Sequence, residues 1–311
     1  MSSTISETST LQQLSHDLAG AVERAGAATV AVNGRNRVPS SGVHWRQGII
    51  VTADHTVERD DNLTVTLPDG STVPATLAGR DPNTDIAVLR LGTEATAATA
   101  SIGDAATLKV GHLALAVGRP GEGGLSASLG AISAVGGPWR TGRGGQIDNF
   151  IRADVTFYPG FSGGPLVDAA GQVVGINTSG LSRSMGLTIP AATVNRVVEA
   201  LLSGGRVARG YFGVSLQPVR LPDSLKTALG TEATTALIAV STEADGPAEK
   251  AGMLIGDILV ALDGQNVEDT DAVQAFLSPE RVGQAVTARV ARGGVPTEFQ
   301  ITVGERPQGG K

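Results

Sequence analysis

Apolar residues along this chain come in short runs separated by turns that carry glycine, proline, asparagine or aspartate. Segments such as ATVAVNG, QGIIVTA, NLTVTLPDGSTVPATLAG, DIAVLRL, HLALAVG, GAISAVG, GQVVGINTSG and GLTIP are too short for buried helices and rich in β-branched residues, so they predict strands. Asp69-Gly70 between two alternating segments predicts a hairpin turn. Two stretches break this rhythm. Leu11, Leu14, Leu18 and Val22 recur at steps of three and four, the spacing of an amphipathic helix, and ATVNRVVEALLSGG places Val194, Val197, Val198, Leu201 and Leu202 on one helical face that ends at Gly204 and Gly205. After RVARG the strand pattern restarts at YFGVSL and continues through ALIAVST, GDILVALDG, AVTARVA and TEFQITV, with a helix expected over DTDAVQAFLS. The expected organisation is a helical extension over 1–26, a β domain over 27–207, a second β domain with one or two helices over 208–305, and a flexible tail over 306–311.

Composition narrows the function classes. The 311 residues can bury roughly two separate cores. Forty-two glycines and 3% aromatics suit a mainly β protein with many turns, and a barrel or sandwich is the expected architecture. A net charge of -6, with no basic block, argues against nucleic acid or an anionic membrane as partner. No stretch approaches the ~20 apolar residues of a membrane span. Cysteine is absent, which removes disulfides, a thiolate nucleophile and Cys-ligated metal. The polar start lacks the basic and apolar regions of an export signal, so a cytoplasmic location is expected, with a periplasmic or extracellular one if a signal was removed.

The candidate chemistry is acyl transfer. It requires a nucleophile, an imidazole base, a carboxylate to orient that base, and N–H groups facing the oxyanion. YPGFSGGPLVD sets Ser162 among Gly160, Gly163 and Gly164, whose backbone freedom lets successive N–H groups converge; Gly160 and Ser162 are the expected donors. Of four histidines, His16, His44 and His112 read as surface or packing residues, whereas His55 in IIVTADHTV ends an apolar strand just before a turn. Asp85 closes a turn and opens the apolar strand of DPNTDIAVLRL; partly buried, it needs a hydrogen-bonded partner, which an imidazole supplies. Asp54, next to His55 on the opposite strand face, is the weaker candidate. The alternatives, a plain turn at Ser162 and an Asx turn at Asp85, stay open on pattern alone.

Taken together, VTADHTV, DPNTDIAVLRL and PGFSGGPLV in this order resemble the chymotrypsin-fold serine proteases of the HtrA/Deg family. GLTIPAATVNRVVEALLSGGRVARGYFGV resembles the end of that protease domain running into a PDZ domain, and DGPAEKAGMLIGDILVALDGQNV resembles the PDZ core, so the likeness covers roughly 28–305. It implies a double six-stranded β-barrel with a His55, Asp85, Ser162 triad, no cofactor and no metal, polypeptide substrates, and an activity independent of ATP. It also implies that Tyr211, Phe212, Gly213 and Val214 form the loop that receives a peptide C-terminus, and that the protein forms a homotrimer.

The same resemblance bears on specificity. Thr156 stands six residues before Ser162, where relatives that cut after Lys or Arg carry an acid; with Asn177 and Thr178 it is expected in the specificity pocket, which would favour small or medium apolar residues. Phe161 occupies a position usually held by Asn or Asp, which excludes activation by pairing with a new N-terminus and raises the question of how it affects the resting oxyanion loop. A protease-like scaffold or holdase without catalysis is the rival reading.

Overall fold

The computed structural model describes residues 9–36, 38–92, 97–121, 124–182 and 185–306; most of the expected tail, and the first eight residues of the expected extension, lie outside these. The chain divides into two compact units, Met1–Val207 and Ala208–Lys311.

The first unit opens with helix α1 (Thr10–Gly26), started by a capping box in which the Ser9 side chain accepts from Gln12 N while the Gln12 side chain accepts from the Ser9 N–H. Its buried residues are Ala21, Ala25 and Gly26, flanked by half-buried Leu18 and Val22, whereas Leu11 is 78% exposed. The helix therefore packs through the small residues of its C-terminal half, and the leucine stripe seen in the sequence is only partly used.

Strands β1 (Thr29–Asn33), β2 (Ser40–Arg46), β3 (Ile49–Ala53), β4 (Leu63–Thr66), β5 (Thr72–Asp81) and β6 (Ile86–Leu91) close into a barrel in the order β1-β2-β3-β6-β5-β4. Strand β2 escapes pattern reading because Ser40, Ser41, Gly42 and His44 look like a loop, yet all four are buried. Gly42 sits where an added Cβ would lie 2.8 Å from Val32 and 2.9 Å from Ile50, so the barrel interior has room only for a bare backbone there. His44 is the packing residue expected, its ring held between Ala98 O and the Gly48 N–H.

A second barrel follows, built from β7 (Leu113–Gly118), β8 (Ser126–Gly136), β11 (Phe150–Asp154), β12 (Pro165–Asp168), β13 (Val173–Thr178) and β14 (Leu187–Pro190), in the order β11-β14-β13-β12-β7-β8. Between β8 and β11, β9 (Trp139–Arg140) and β10 (Gln146–Ile147) form a small hairpin pinned to the turn before β6: Thr141 Oγ1 donates to Asn83 O at 2.7 Å. Helix α2 (Ala191–Gly204) ends the unit, burying Val194, Val197, Val198 and Leu201 and stopping at Gly205 in the left-handed region (φ 70°).

The second unit contains β15 (Gly210–Tyr211), β16 (Val214–Arg220), α3 (Asp223–Leu229), β17 (Thr235–Thr242), α4 (Pro247–Lys250), β18 (Ile258–Leu262), β19 (Gln265–Asn266), α5 (Thr270–Phe276), β20 (Ala285–Arg292), β21 (Val295–Thr302) and β22 (Gly304–Glu305). Its main sheet runs β16-β17-β18-β20-β21, with β16 at one edge, and β15 pairs with β22. Helix α5 falls on the expected DTDAVQAFLS segment, whereas α3 and α4 have no place in the sequence reading, each being too short for its pattern to stand out. Phe212, Leu237, Leu259, Leu262, Phe276, Val286 and Val290 are among the residues of its core.

Candidate active site

Apolar strand β3 ends by tightening into a single 3-10 turn over Asp54–Thr56, which turns the His55 side chain out of the barrel wall. Asp85 meets it from the turn before β6, with 1% exposure and a left-handed backbone (φ 58°) that Asp tolerates better than most residues. Its carboxylate collects three donors. Oδ1 accepts from the His55 backbone N–H at 2.8 Å, and Oδ2 lies 2.8 Å from His55 Nδ1 while also accepting from Thr178 Oγ1. Gly180 N donates to Thr178 Oγ1 at 2.8 Å, which leaves the threonine proton for the carboxylate. A carboxylate can only accept, so Nδ1 carries the ring proton and Nε2 is left as the basic nitrogen.

Gly180 passes directly over this pair: an added Cβ would sit 2.6 Å from His55 Nδ1 and 2.7 Å from Asp85 Oδ2. Asp54 has a different environment. Burial, opposed by Arg80 and reinforced by Asp85 and Asp81, pushes its carboxyl up to about 6. Arg80 Nε stands 3.1 Å from its Oδ1, and its place in the triad geometry is taken by Asp85.

The turn before β12 carries Ser162. Phe161 N donates to Tyr158 O at 3.0 Å, Gly160 has φ 88°, and the N–H groups of Gly160 and Ser162 donate to nothing among the described residues. Gly163, at φ 87°, approaches the first barrel so closely that a Cβ would fall 2.1 Å from Ser41 O. The Phe161 side chain points into the second barrel. Its ring is fully buried in the second barrel with Ala116, Ile132, Leu166 and Val174, stacks edge-on to Tyr158 at 5.3 Å, and occupies the space left by Gly118, where a Cβ would lie 2.6 Å from the ring. Ser162 Oγ rests 3.1 Å from Ser179 Oγ and 3.3 Å from Ser179 N; no hydrogen bond joins it to His55 among the described residues.

The residues expected in the specificity pocket have separate fates. Thr156 is exposed, and its N–H is held by Ser128 Oγ at 2.9 Å. Asn177 is fully buried, bonded to Pro165 O and Thr188 Oγ1, and Thr178 uses its hydroxyl on Asp85. Phe157 lies over Gly186, where a Cβ would come within 2.1 Å of the ring. In the second unit, Gly213 (φ 73°) follows Phe212, which is 3% exposed, and the N–H groups of both are unengaged among the described residues. Tyr211 donates its hydroxyl to Glu243; burial, with Glu243 adding, pushes that hydroxyl up to about 12.

Thr178, Ser179, Gly180 and Ser41 surround the site without having been assigned these contacts from sequence. Serine, threonine and glycine are too common for their positions in the sequence to mark such contacts.

Among described residues no group of His, Cys, Asp or Glu has the arrangement of a metal site, and no helix is long and apolar enough to cross a membrane. Residues 40–176 match the trypsin-like peptidase domain family and residues 239–292 the PDZ domain family. A probable periplasmic serine endoprotease, DegP-like, from Brucella suis biovar 1 (strain 1330) is 34% identical over 293 residues, covering 91% of this chain and 56% of the relative. A protein of the same description from Chlamydia pneumoniae is 34% identical over 270 residues, covering 84% of this chain and 54% of the relative. The chain thus spans little more than half the length of these curated relatives. Both are named as periplasmic, so the cytoplasmic location expected from the sequence finds no support in them. Among solved structures, the HtrA-type protease AlgW with tripeptide is 32% identical with a TM-score of 0.75, covering 94% of this chain and 98% of that one. The serine endoprotease from Yersinia pestis is 29% identical with a TM-score of 0.76, covering 93% and 98%. With both barrels, the PDZ-type second unit and these likenesses in agreement, the chain belongs to the HtrA-type serine protease family.

Proposed function

We propose that this chain is an ATP-independent serine endopeptidase that hydrolyses unfolded or damaged polypeptides through an acyl-enzyme. The observation that carries the reading is the His55–Asp85 pair, linked through Thr178 and Ser179 to a glycine turn whose Gly160 and Ser162 N–H groups donate to nothing among the described residues. In this mechanism Ser162 turns about χ1 from Ser179 towards His55, which takes its proton at Nε2 as Oγ attacks the scissile carbonyl. Asp85 holds the imidazole in the tautomer that makes Nε2 basic, and the Gly160 and Ser162 N–H groups receive the oxyanion. His55 then returns the proton to the leaving amine, and water repeats the sequence to release the acid. Resting hydrogen bonds of this kind are often unmade before substrate arrives, so the position of Ser162 Oγ is compatible with catalysis.

Cleavage after small or medium apolar residues is part of the proposal, supported by the absence of an acid at Thr156 and by the Phe157 ring over Gly186. Capture of peptide C-termini by the second unit is supported by the unengaged Phe212 and Gly213 N–H groups next to edge strand β16, which can take a further strand. A periplasmic location, supported by the names of the curated relatives, and a homotrimer, which the family resemblance implies, complete the proposal. Casein incubated with the chain and with Ser162→Ala tests the enzyme reading: the parent is expected to digest it, and the variant to lose about a thousandfold or more of the activity. The cleavage sites in that digest, read by mass spectrometry, report the P1 preference. Equal casein loss in both proteins, or none in either, would favour the non-catalytic scaffold.

A further inference from the structure

Ser41 is an inconspicuous residue near the site, a small polar side chain in the middle of strand β2. It is completely buried. Its Oγ donates to Gly160 O at 2.7 Å and accepts from Arg119 N at 2.8 Å. Its N–H donates to Ser162 O at 3.2 Å, and its carbonyl accepts from Thr52 Oγ1 at 2.7 Å. Because the Arg119 N–H occupies one lone pair, the hydroxyl rotor has a single good direction for its proton, toward Gly160 O. Arg119 is in turn immobilised, its guanidinium donating to Thr29 O at 2.7 Å and Gly26 O at 3.0 Å.

The two carbonyls that Ser41 holds belong to the same two residues whose N–H groups face the reacting carbonyl in the mechanism above. Holding Gly160 O fixes the peptide plane between Gly160 and Phe161, and holding Ser162 O fixes the plane between Ser162 and Gly163. The Phe161–Ser162 plane, which carries the Ser162 N–H, is caught between them. Gly160 needs such restraint: at φ 88° it has the freedom to let the preceding peptide turn over and withdraw its N–H.

We propose that Ser41 is a positioning residue of the oxyanion turn, a hydroxyl lent by the first barrel to hold a loop of the second in its anion-receiving form. This rests on the acyl-transfer reading and adds to it a residue that touches neither substrate nor nucleophile side chain. The test compares the full chain with Ser41→Ala and the near-isosteric Ser41→Cys, whose S–H is a weak donor. Ser41→Ala is expected to lower kcat by about tenfold to a hundredfold, a fraction of the loss when an oxyanion donor itself is removed, with KM within about twofold. Affinity for a peptide boronate, which forms a tetrahedral adduct at Ser162, should fall by the same factor as kcat/KM. Ser41→Cys should lie between parent and Ala and carries the test if the Ala variant melts early. Parent-like kcat and boronate affinity in both variants would overturn the assignment, as would a KM rise with kcat unchanged. A parent chain inert to casein and to the boronate would instead sink the acyl-transfer reading, and this assignment with it.

Discussion

Two loops of this protein, one in each unit, solve a similar problem with a similar device. In residues 159–164 and 211–214, a phenylalanine ring buried in the local core sits next to a left-handed glycine, and two N–H groups donate to nothing among the described residues. Phe161 precedes the nucleophile candidate and follows its glycine; Phe212 precedes Gly213. In both, burial of an aromatic side chain offsets the cost of leaving backbone donors unpaired and awaiting an anion. The difference lies in what stands beside the donors. The first loop has Ser162, the His55–Asp85 pair and the Ser41 clamp, so the anion it is shaped for is one that develops during reaction. The second has edge strand β16 and no nucleophile, so it suits an anion already formed, such as a C-terminal carboxylate. Donor geometry by itself therefore does not separate binding from catalysis; the neighbouring side chains do.

The comparison is broken most severely by Phe161→Ala. Removal of the ring leaves a cavity beneath the oxyanion turn, and we expect a stability loss of about 3–5 kcal/mol with peptidase activity near background. Denaturant unfolding and fluorophosphonate labelling would check this; a stable, fully active variant would show that the ring does not anchor the turn. Next in size is Gly213→Val, which forces a β-branched residue to φ 73° and puts a side chain beside Tyr211 and Gly246. Binding of a peptide with a free C-terminus, measured by fluorescence anisotropy, should weaken by about tenfold or more, since a backbone strain of this kind costs ~1–3 kcal/mol. Casein cleavage by the same variant is expected to stay within about twofold of the parent, and a parallel loss of both would mean that the two loops do not act separately.

The smallest effect concerns charge around the first loop. Asp54 has a folded-state carboxyl raised to about 6 by burial, against 3.8 ordinarily. Below about pH 4 it is protonated in both folded and unfolded chains; as pH rises through 6 the folded chain holds the proton longer, and the ionised form costs stability. Asp54→Asn should therefore stabilise the protein at pH 8 by about 1 kcal/mol, within an upper bound of about 3 set by the net shift, which already includes the Arg80 attraction, and by little at pH 4. Thermal melts across that window read the difference. A gain that is the same at pH 4 and pH 8 would assign the effect to something other than ionisation.

How much of this was legible in the sequence differs from element to element. Strands written as short apolar runs between turns, such as β3, β6 and β13, and helix α2 with its helical spacing and glycine stop, declared themselves in the sequence. Strand β2 did not, because Ser40, Ser41 and Gly42 are polar or bare for reasons that lie on other strands: Gly42 makes room for Val32 and Ile50, and Ser41 bonds residues more than a hundred positions away. His55, Asp85 and Ser162 were proposed from motif and order, and the structure brings the first two into hydrogen-bond contact. Thr178 was expected to line a pocket, whereas its hydroxyl is spent on Asp85, a pairing across 93 positions that no local pattern encodes.

By itself, then, the sequence determined the mainly β architecture, the two-unit order and the identities of the candidate nucleophile, base and acid, because strand period, turn chemistry and motif order are local properties. Whether Phe161 would disturb the oxyanion turn or support it was decided only by tertiary structure. A bulky ring beside a nucleophile is disruptive if it points into the cleft and stabilising if it points into the core. Which way it points depends on the space that Gly118 leaves for it on a neighbouring strand, a matter of packing between residues far apart in the chain.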